Sequence, residues 1–189
     1  MRRVNIVGTG YGWKDAPYDK GKVWSITSLI LSRPEVDMVI DMNVYDDLRW
    51  GEVEKEHNDR VLHICSMENI KYVGLNNYPL DRVRKSFPNI DYFTSTVSYA
   101  IALAVHMKFD EIHLYGINMT FGEEYAHQKA CADFWCGVAI GRRIKLVAHG
   151  EGCSIMRAYD GMMYGYDIPQ KQQVYAGGVG LRSMGKKNE

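Results

Sequence analysis

No cysteine pair in this chain of 189 residues has the close spacing of a metal knuckle. Cys65, Cys131, Cys136 and Cys153 stand apart, with no C-x-x-C and no histidine-rich neighbourhood, which argues against structural zinc and reads as free thiols in a reducing cytoplasm. Net charge is also missing: 23 basic residues balance 23 acidic ones, so nothing global calls for a polyanion, and a nucleic-acid partner is not the expectation, though the charge balance does not exclude one. The local clusters Arg82, Arg84, Lys85 and Arg142, Arg143, Lys145 read as solvated helix ends. No apolar stretch approaches the roughly 20 residues that span a bilayer, and Met1-Arg2-Arg3 runs straight into a strand with no apolar signal region behind it. The expectation is a soluble, cytoplasmic protein without a membrane partner. Internal repeats and long linkers are absent too, which leaves a single domain large enough to bury its own core.

What is present is an alternation of strand and helix signals. Val4 to Val7 is a short apolar run that stops at glycine, as a buried central strand does. Val23 to Ile26, Val36 to Ile40, Val61 to Ile64 and Tyr72 to Leu75 read as further strands. Between them, the polar segment from Asp46 to Asn58 reads as a solvent-facing helix or an ordered loop. Thr94-Ser95-Thr96 supplies N-caps for a helix that runs to about Lys108, with Val97, Ile101, Ala104 and Val105 at helical spacing. Glu111 to Gly116 is a strand, and Glu124 to about Arg142 a helix with Cys131, Phe134, Trp135 and Val138 on one face. Ile144 to Ala148 is the last strand, and Cys153 to Tyr159 starts a short helix. The pattern predicts an α/β, Rossmann-like fold: a mainly parallel sheet with helices on both faces, over residues 1–168. Residues 169–189, rich in glycine, lysine and glutamine, read as a flexible tail.

In such a sheet ligands bind at the carboxyl ends of the strands. There the sequence has Gly8-Thr9-Gly10-Tyr11-Gly12-Trp13, Asn43, Asn76, Thr94 to Thr96, Asn118 and His149. Gly8 and Gly10 would permit positive φ and bring N–H groups close to an anion. The loop is not a dinucleotide fingerprint, because Thr27-Ser28 stands where a ribose-binding acid belongs, and it is not a P-loop, because no Gly-Lys-Ser/Thr follows. Trp13 is open to two readings, a packing lid or a platform for a base. The hydroxyls at 94–96 open a helix and so form an anion site or simply a good cap. After the strand at Leu114, "GINMTFGEEYAHQK" contributes Asn118, Thr120, Tyr125 and His127, and a tyrosine there can donate to a departing phosphate oxygen. His149, between Ala148 and Gly150, suits general-base work, with Glu151 as an orienting neighbour.

The run Thr94 to Lys129, "TSTVSYAIALAVHMKFDEIHLYGINMTFGEEYAHQK", is similar to the core of bacterial sialyltransferases that use a cytidine-monophosphate sugar donor. There a Ser-Gly helix start leads to a strand ending Gly-Ile-Asp-Phe-Tyr and then a Tyr-Ala pair. "VNIVGTGYGW" resembles their opening strand and its Gly-Asn-Gly-Pro-Ser. The chain equally resembles archaeal-type 6-hydroxymethylpterin diphosphokinases and short phage-encoded proteins, the last through "W-x-x-AP" and "EYA-x-Q". The first resemblance implies a metal-independent glycosyltransferase that takes a nucleotide-sugar donor as substrate and no cofactor. It assigns His149 as base, Tyr125 and Thr120 at the two leaving-group tyrosines, and Gly8 to Gly12 and Ser95 to the donor. Thr120 is shorter than tyrosine, Asn118 replaces an acid, and the lid insertion and membrane-associating tail of those enzymes are missing. The second resemblance implies a magnesium-dependent diphosphokinase, for which Asp41 and Asp46 or Asp47 are the only obvious acids near a predicted strand end. The third implies a phage protein that binds or sequesters a nucleotide in the host cytoplasm. The sialyltransferases assemble as oligomers, so a homo-oligomer is possible.

Overall fold

The computed structural model describes residues 1–43, 45, 52–122, 124–158, 163 and 166, those at 52, 54 and 125 by backbone alone. The proposed tail, together with Asp46 and Asp47, lies outside the described residues. Six strands form one sheet: β1 (Arg3–Val7), β2 (Lys22–Ile26), β3 (Met38–Ile40), β4 (Lys71–Val73), β5 (Glu111–Tyr115) and β6 (Lys145–Ala148). Their order is β4-β3-β2-β1-β5-β6, with every pair parallel. The α/β, Rossmann-like expectation holds. The chain steps outward from β1 to β4, returns across the sheet, and continues from β5 on the other side. β1 therefore sits at the reversal of strand order, where β1 and β5 open a crevice at their carboxyl ends.

Alternation along the strands divides the core in two. Val4, Ile6, Ile112 and Leu114 face α3 (Thr96–His106) and α4 (Ala130–Gly141), with α2 (Leu80–Ser86) packed beside them. Val7, Val23, Val39 and Tyr115 face the 3-10 turn Thr27–Leu31 and α1 (Glu52–Met67). α3 is buried along most of its length, from Val97 to Val105 with Tyr99 only half-buried, so its sequence is apolar on nearly every side. Its first turn carries a capping box: Ser98 N–H donates to Ser95 Oγ, and Ser95 N–H to Ser98 Oγ, both at 3.2 Å. No helix among the described residues is long and apolar enough to cross a membrane.

Two expected elements are different in kind. Val61 to Ile64 is not a strand but the middle of α1, where Val61 and Cys65 are buried one turn apart and Leu62 is exposed. A short apolar run cannot separate these alternatives by itself. The segment 153–158 is irregular rather than helical. Ser154 N–H donates to Ile117 O at 3.0 Å, Ser154 Oγ accepts from Met119 N–H at 2.8 Å, and Met156 N–H donates to Asp133 Oδ1 at 2.7 Å. These bonds bind it to the β5 exit and to α4. The helix from Glu124 begins as a π-turn, Glu124–Lys129, before α4 proper. On α4, Cys131 and Trp135 are fully buried, whereas Phe134 is largely exposed.

Candidate functional site

A glycine clasp closes the base of the crevice. Gly8 N–H donates to Tyr115 O at 2.9 Å and Gly10 N–H to Gly116 O at 2.7 Å. A Cβ on Gly8 would lie 2.6 Å from Gly116 O, one on Gly10 2.7 Å from it, and one on Gly116 2.6 Å from Gly10 O. The sequence reading of Gly8 and Gly10 needs correction here. Neither has positive φ, and both N–H groups are spent on the β5 exit, so these glycines serve close backbone approach. Positive φ falls instead on Gly12 (87°) and Gly116 (58°). Gly152 belongs to the same contact: its Cβ would meet Tyr11 O at 1.9 Å.

Above the clasp lies a cleft of about 620 Å³. The loops after β1 and β5 contribute Gly8, Thr9, Gly10, Gly116, Ile117, Asn118 and Met119. β2 and β3 end on it with Ile26, Thr27, Met42 and Asn43, and the approach to α3 contributes Phe93 to Val97 and Tyr99. Glu124 and Gln128 come from the π-turn. The structure thus brings together eight of the residues expected from sequence: Gly8, Thr9, Gly10, Asn43, Thr94, Ser95, Thr96 and Asn118. Thr94 Oγ1 donates to His127 O at 2.9 Å, which joins the α3 entry to the π-turn, and Thr96 Oγ1 accepts from Met42 N–H at 3.3 Å.

Other expected residues sit elsewhere. Gly12 caps the 3-10 turn Trp13–Asp15, and Trp13 packs against the core on the α1 face, bordering a separate hollow with Tyr18 and Arg33. Asn76 is exposed after β4, and Thr120 is half-buried; neither lines the cleft. The Tyr125 side chain lies outside what is described. His149 also does not line the cleft. Its ring stacks on Tyr115 at 4.2 Å and 2°, and its Nε2 is 2.8 Å from His113 Nδ1. Glu111, not Glu151, ends this chain, 3.1 Å from His113 Nε2. Arg3 holds the Glu111 carboxyl down to about 2 against the effect of burial, with Lys145 and His113 adding to it. As a carboxylate, Glu111 accepts from His113 Nε2–H, and His113 Nδ1 in turn accepts from His149 Nε2–H. Burial lowers both imidazoles below their usual value.

Sequence reasoning passed over several lining residues. Thr27 adopts a left-handed backbone at φ 49°, an outlier for a β-branched residue. Phe93 and Tyr99 stack at 4.6 Å and 21°, an aromatic wall that no local motif marks. Glu124 is the sole carboxylate lining the cleft among the described residues, and no lysine, arginine or histidine lines it there. The amides of Thr96 and Val97 accordingly stand out. They belong to the first turn of α3, where no intrahelical carbonyl is available to them, at the positive end of the helix dipole.

Of the carboxylates considered for magnesium, Asp41 alone is among the described residues. Asp41 is buried, accepts from Asn43 N–H at 3.0 Å and from Tyr45 OH at 2.7 Å, and is raised from its usual value by burial. Among the described residues no group of three or more His, Cys, Asp or Glu has an arrangement that could hold a metal ion.

No family model and no curated protein matches the chain. Among solved structures it is similar to the sialyltransferase CstII from Campylobacter jejuni in complex with cytidine-5'-monophosphate. That match has 15% identity, covers 81% of each chain, and has a TM-score of 0.37. It is similar also to CstII with CMP-3FNeuAc, at 16% identity over 82% of this chain and 81% of that one, with a TM-score of 0.40. At this level of likeness the function has to be read from the cleft itself.

Proposed function

We propose that the protein is a transferase acting on a nucleotide-activated donor that carries a single phosphate, most simply a glycosyltransferase working without a divalent cation. One observation carries this reading: the open first turn of α3 faces a cleft whose described lining has no cationic side chain and only one carboxylate. A helix N-terminus contributes roughly half an elementary charge, which suits one phosphate group and is too little for a di- or triphosphate. Magnesium chemistry would call for paired carboxylates, and Asp41 is already engaged. The stacked Phe93 and Tyr99 offer an apolar wall for a base, and Asn43, Asn118 and Thr27 offer polar groups for a ribose or sugar.

In the proposed reaction the bond between the sugar's anomeric carbon and the phosphate oxygen breaks. The electron pair leaves with the phosphate, whose growing charge the Thr96 and Val97 amides stabilise. The acceptor hydroxyl oxygen bonds to the anomeric carbon and gives up its proton to a base. Neither histidine lines the cleft; His127 is proposed as that base because Glu124 and Gln128 of the same turn line it, whereas His149 Nε2 is engaged with His113. Tyr125, on the same turn, is proposed as donor to the leaving phosphate.

The test is incubation with a panel of nucleoside mono- and diphosphate sugars, following donor hydrolysis or transfer with and without a chelator. Turnover is expected with monophosphate donors, unaffected by chelation, and reduced on the order of 10²–10⁴-fold in His127→Ala. His149→Ala is expected to keep most of it. Absence of turnover by the folded protein with every donor overturns the transferase reading. A chelator-sensitive reaction overturns the metal-free one.

A further inference from the structure

A second cleft, of about 600 Å³, opens at the opposite end of the sheet, among the amino ends of β1 to β4 and beside the C-terminus of α3. Its volume is within the range of small-molecule sites. Its chemistry is the reverse of the first: Arg2, Arg3, Lys22 and Lys71 line it, against the single carboxylate of Asp37. Trp24, Met38, Met107 and Phe109 provide apolar walls.

Two of these cations are occupied by acids. Arg3 binds Glu111, with Nε at 2.9 Å and Nη2 at 2.8 Å, and Lys22 binds Asp37 at 2.5 Å. The side chains of the other two are not, although the Asp110 carboxylate accepts from the Arg2 backbone N–H at 2.5 Å. Arg2 is held in place by its Nη1, which donates to Met107 O at 2.8 Å and to Lys108 O at 3.4 Å, and its guanidinium lies 4.8 Å above the Phe109 ring. Both acceptors are uncharged carbonyls, and Nε and Nη2 have no partner among the described residues. The Lys71 ammonium has none there either. Basic residues near helix C-termini are common because they complement the dipole. That accounts for Arg2 at the end of α3, but not for Lys71 at the start of edge strand β4. A fixed guanidinium over Phe109, with donors to spare, and a free ammonium lining the same cleft as Trp24, Met38 and Met107 form a site for an anion with an apolar body.

We propose that this cleft binds a phosphate ester with an apolar or aromatic substituent, its phosphate on Arg2 and Lys71 and its apolar part against Phe109, Met107 and Met38. The shared chemistry fits a soluble phosphate ester or a phospholipid headgroup, and the experiment has an arm for each. In the first arm, phenyl phosphate and inorganic phosphate are titrated calorimetrically at low salt. In the second, the protein is sedimented with phosphatidylglycerol or phosphatidylcholine vesicles. Lys71→Glu and the milder Lys71→Gln, both at an exposed position, are compared with Lys85→Glu, which makes the same charge change on exposed α2. A soluble ester is indicated if phenyl phosphate binds at least about tenfold more tightly than inorganic phosphate. A lipid headgroup is indicated by sedimentation with phosphatidylglycerol but not phosphatidylcholine. In either arm, Lys71→Glu is expected to weaken binding about tenfold or more, and Lys85→Glu to leave it unchanged. The proposal is overturned if neither arm detects binding, if the two phosphates bind equally and no vesicle is retained, or if Lys71→Glu and Lys85→Glu behave alike.

Discussion

His113 Nδ1 lies 2.8 Å from His149 Nε2, and the two rings are stacked 17° apart. Each is shifted down, first by burial; Arg3 and Lys145 push His113 further down against Glu111, and His113 and Arg3 do the same to His149. A lowered imidazole favours the neutral form in the folded state. Its stabilisation is therefore complete above the ordinary value of 6.5 and is lost as pH falls from there through the folded-state value. Glu111, held at about 2 rather than 4.5, stabilises above 4.5 and loses this between 4.5 and about 2. Urea midpoints measured against pH should therefore begin to fall just below 6.5, and in His113→Asn that first descent should flatten while the more acidic one persists. An unchanged first descent would dissociate it from this pair.

The glycine clasp makes a second prediction. Gly10→Ala should lower stability by about 2 kcal/mol, the usual scale for forcing an extra carbon into a closed contact. Gly137→Ala, in mid-α4 with nothing within 4 Å of the new carbon, should raise it by about 0.5–1 kcal/mol. Denaturant titration of the two variants checks both signs.

Thr27 carries its strain on the wall of the cleft. Thr27→Gly relieves the left-handed backbone and removes the hydroxyl, so its melting temperature should equal or exceed that of the parent. If Thr27 holds the proposed donor through its hydroxyl, affinity for that donor should drop roughly tenfold, the scale for loss of one hydrogen bond. A fall in stability with affinity intact would make Thr27 a structural residue only.

Ser95 is spent on its own helix. With its Oγ accepting from Ser98 N–H, Ser95→Ala should cost about 1 kcal/mol, seen as a fall of about 2–4 °C in Tm for a chain of this size. Ser95→Gly should cost less.

The sheet was legible because its strands are short, largely apolar runs, three of them (β1, β4 and β5) stopped by glycine, and because α3 and α4 have helical spacing. α1 was half lost, since Val61 to Ile64 is as apolar as a strand. α2 was missed because only Val83 is buried in a seven-residue helix otherwise made of polar residues and Leu80. At the site, hydroxyls before a helix and amides at strand ends led to the cleft, since chain order alone brings them to one rim. The orientation of His149 could not be read in this way. It depends on His113 two residues before Tyr115 on the adjacent strand, and strand pairing, not local motif, brings those rings together. The glycines were visible but their purpose was not, because a close approach has two sides and the second, Gly116, lies more than 100 residues away.

That distance has an evolutionary corollary. Gly8, Gly10 and Gly116 share one backbone contact with no side chain between them, so a lineage cannot gain a side chain at any one of them without moving a carbonyl that another needs. The three should drift as a set or not at all. A homologue that has lost one glycine should show a compensating change in the length or path of the loop opposite, which makes these positions a register mark for aligning distant sequences.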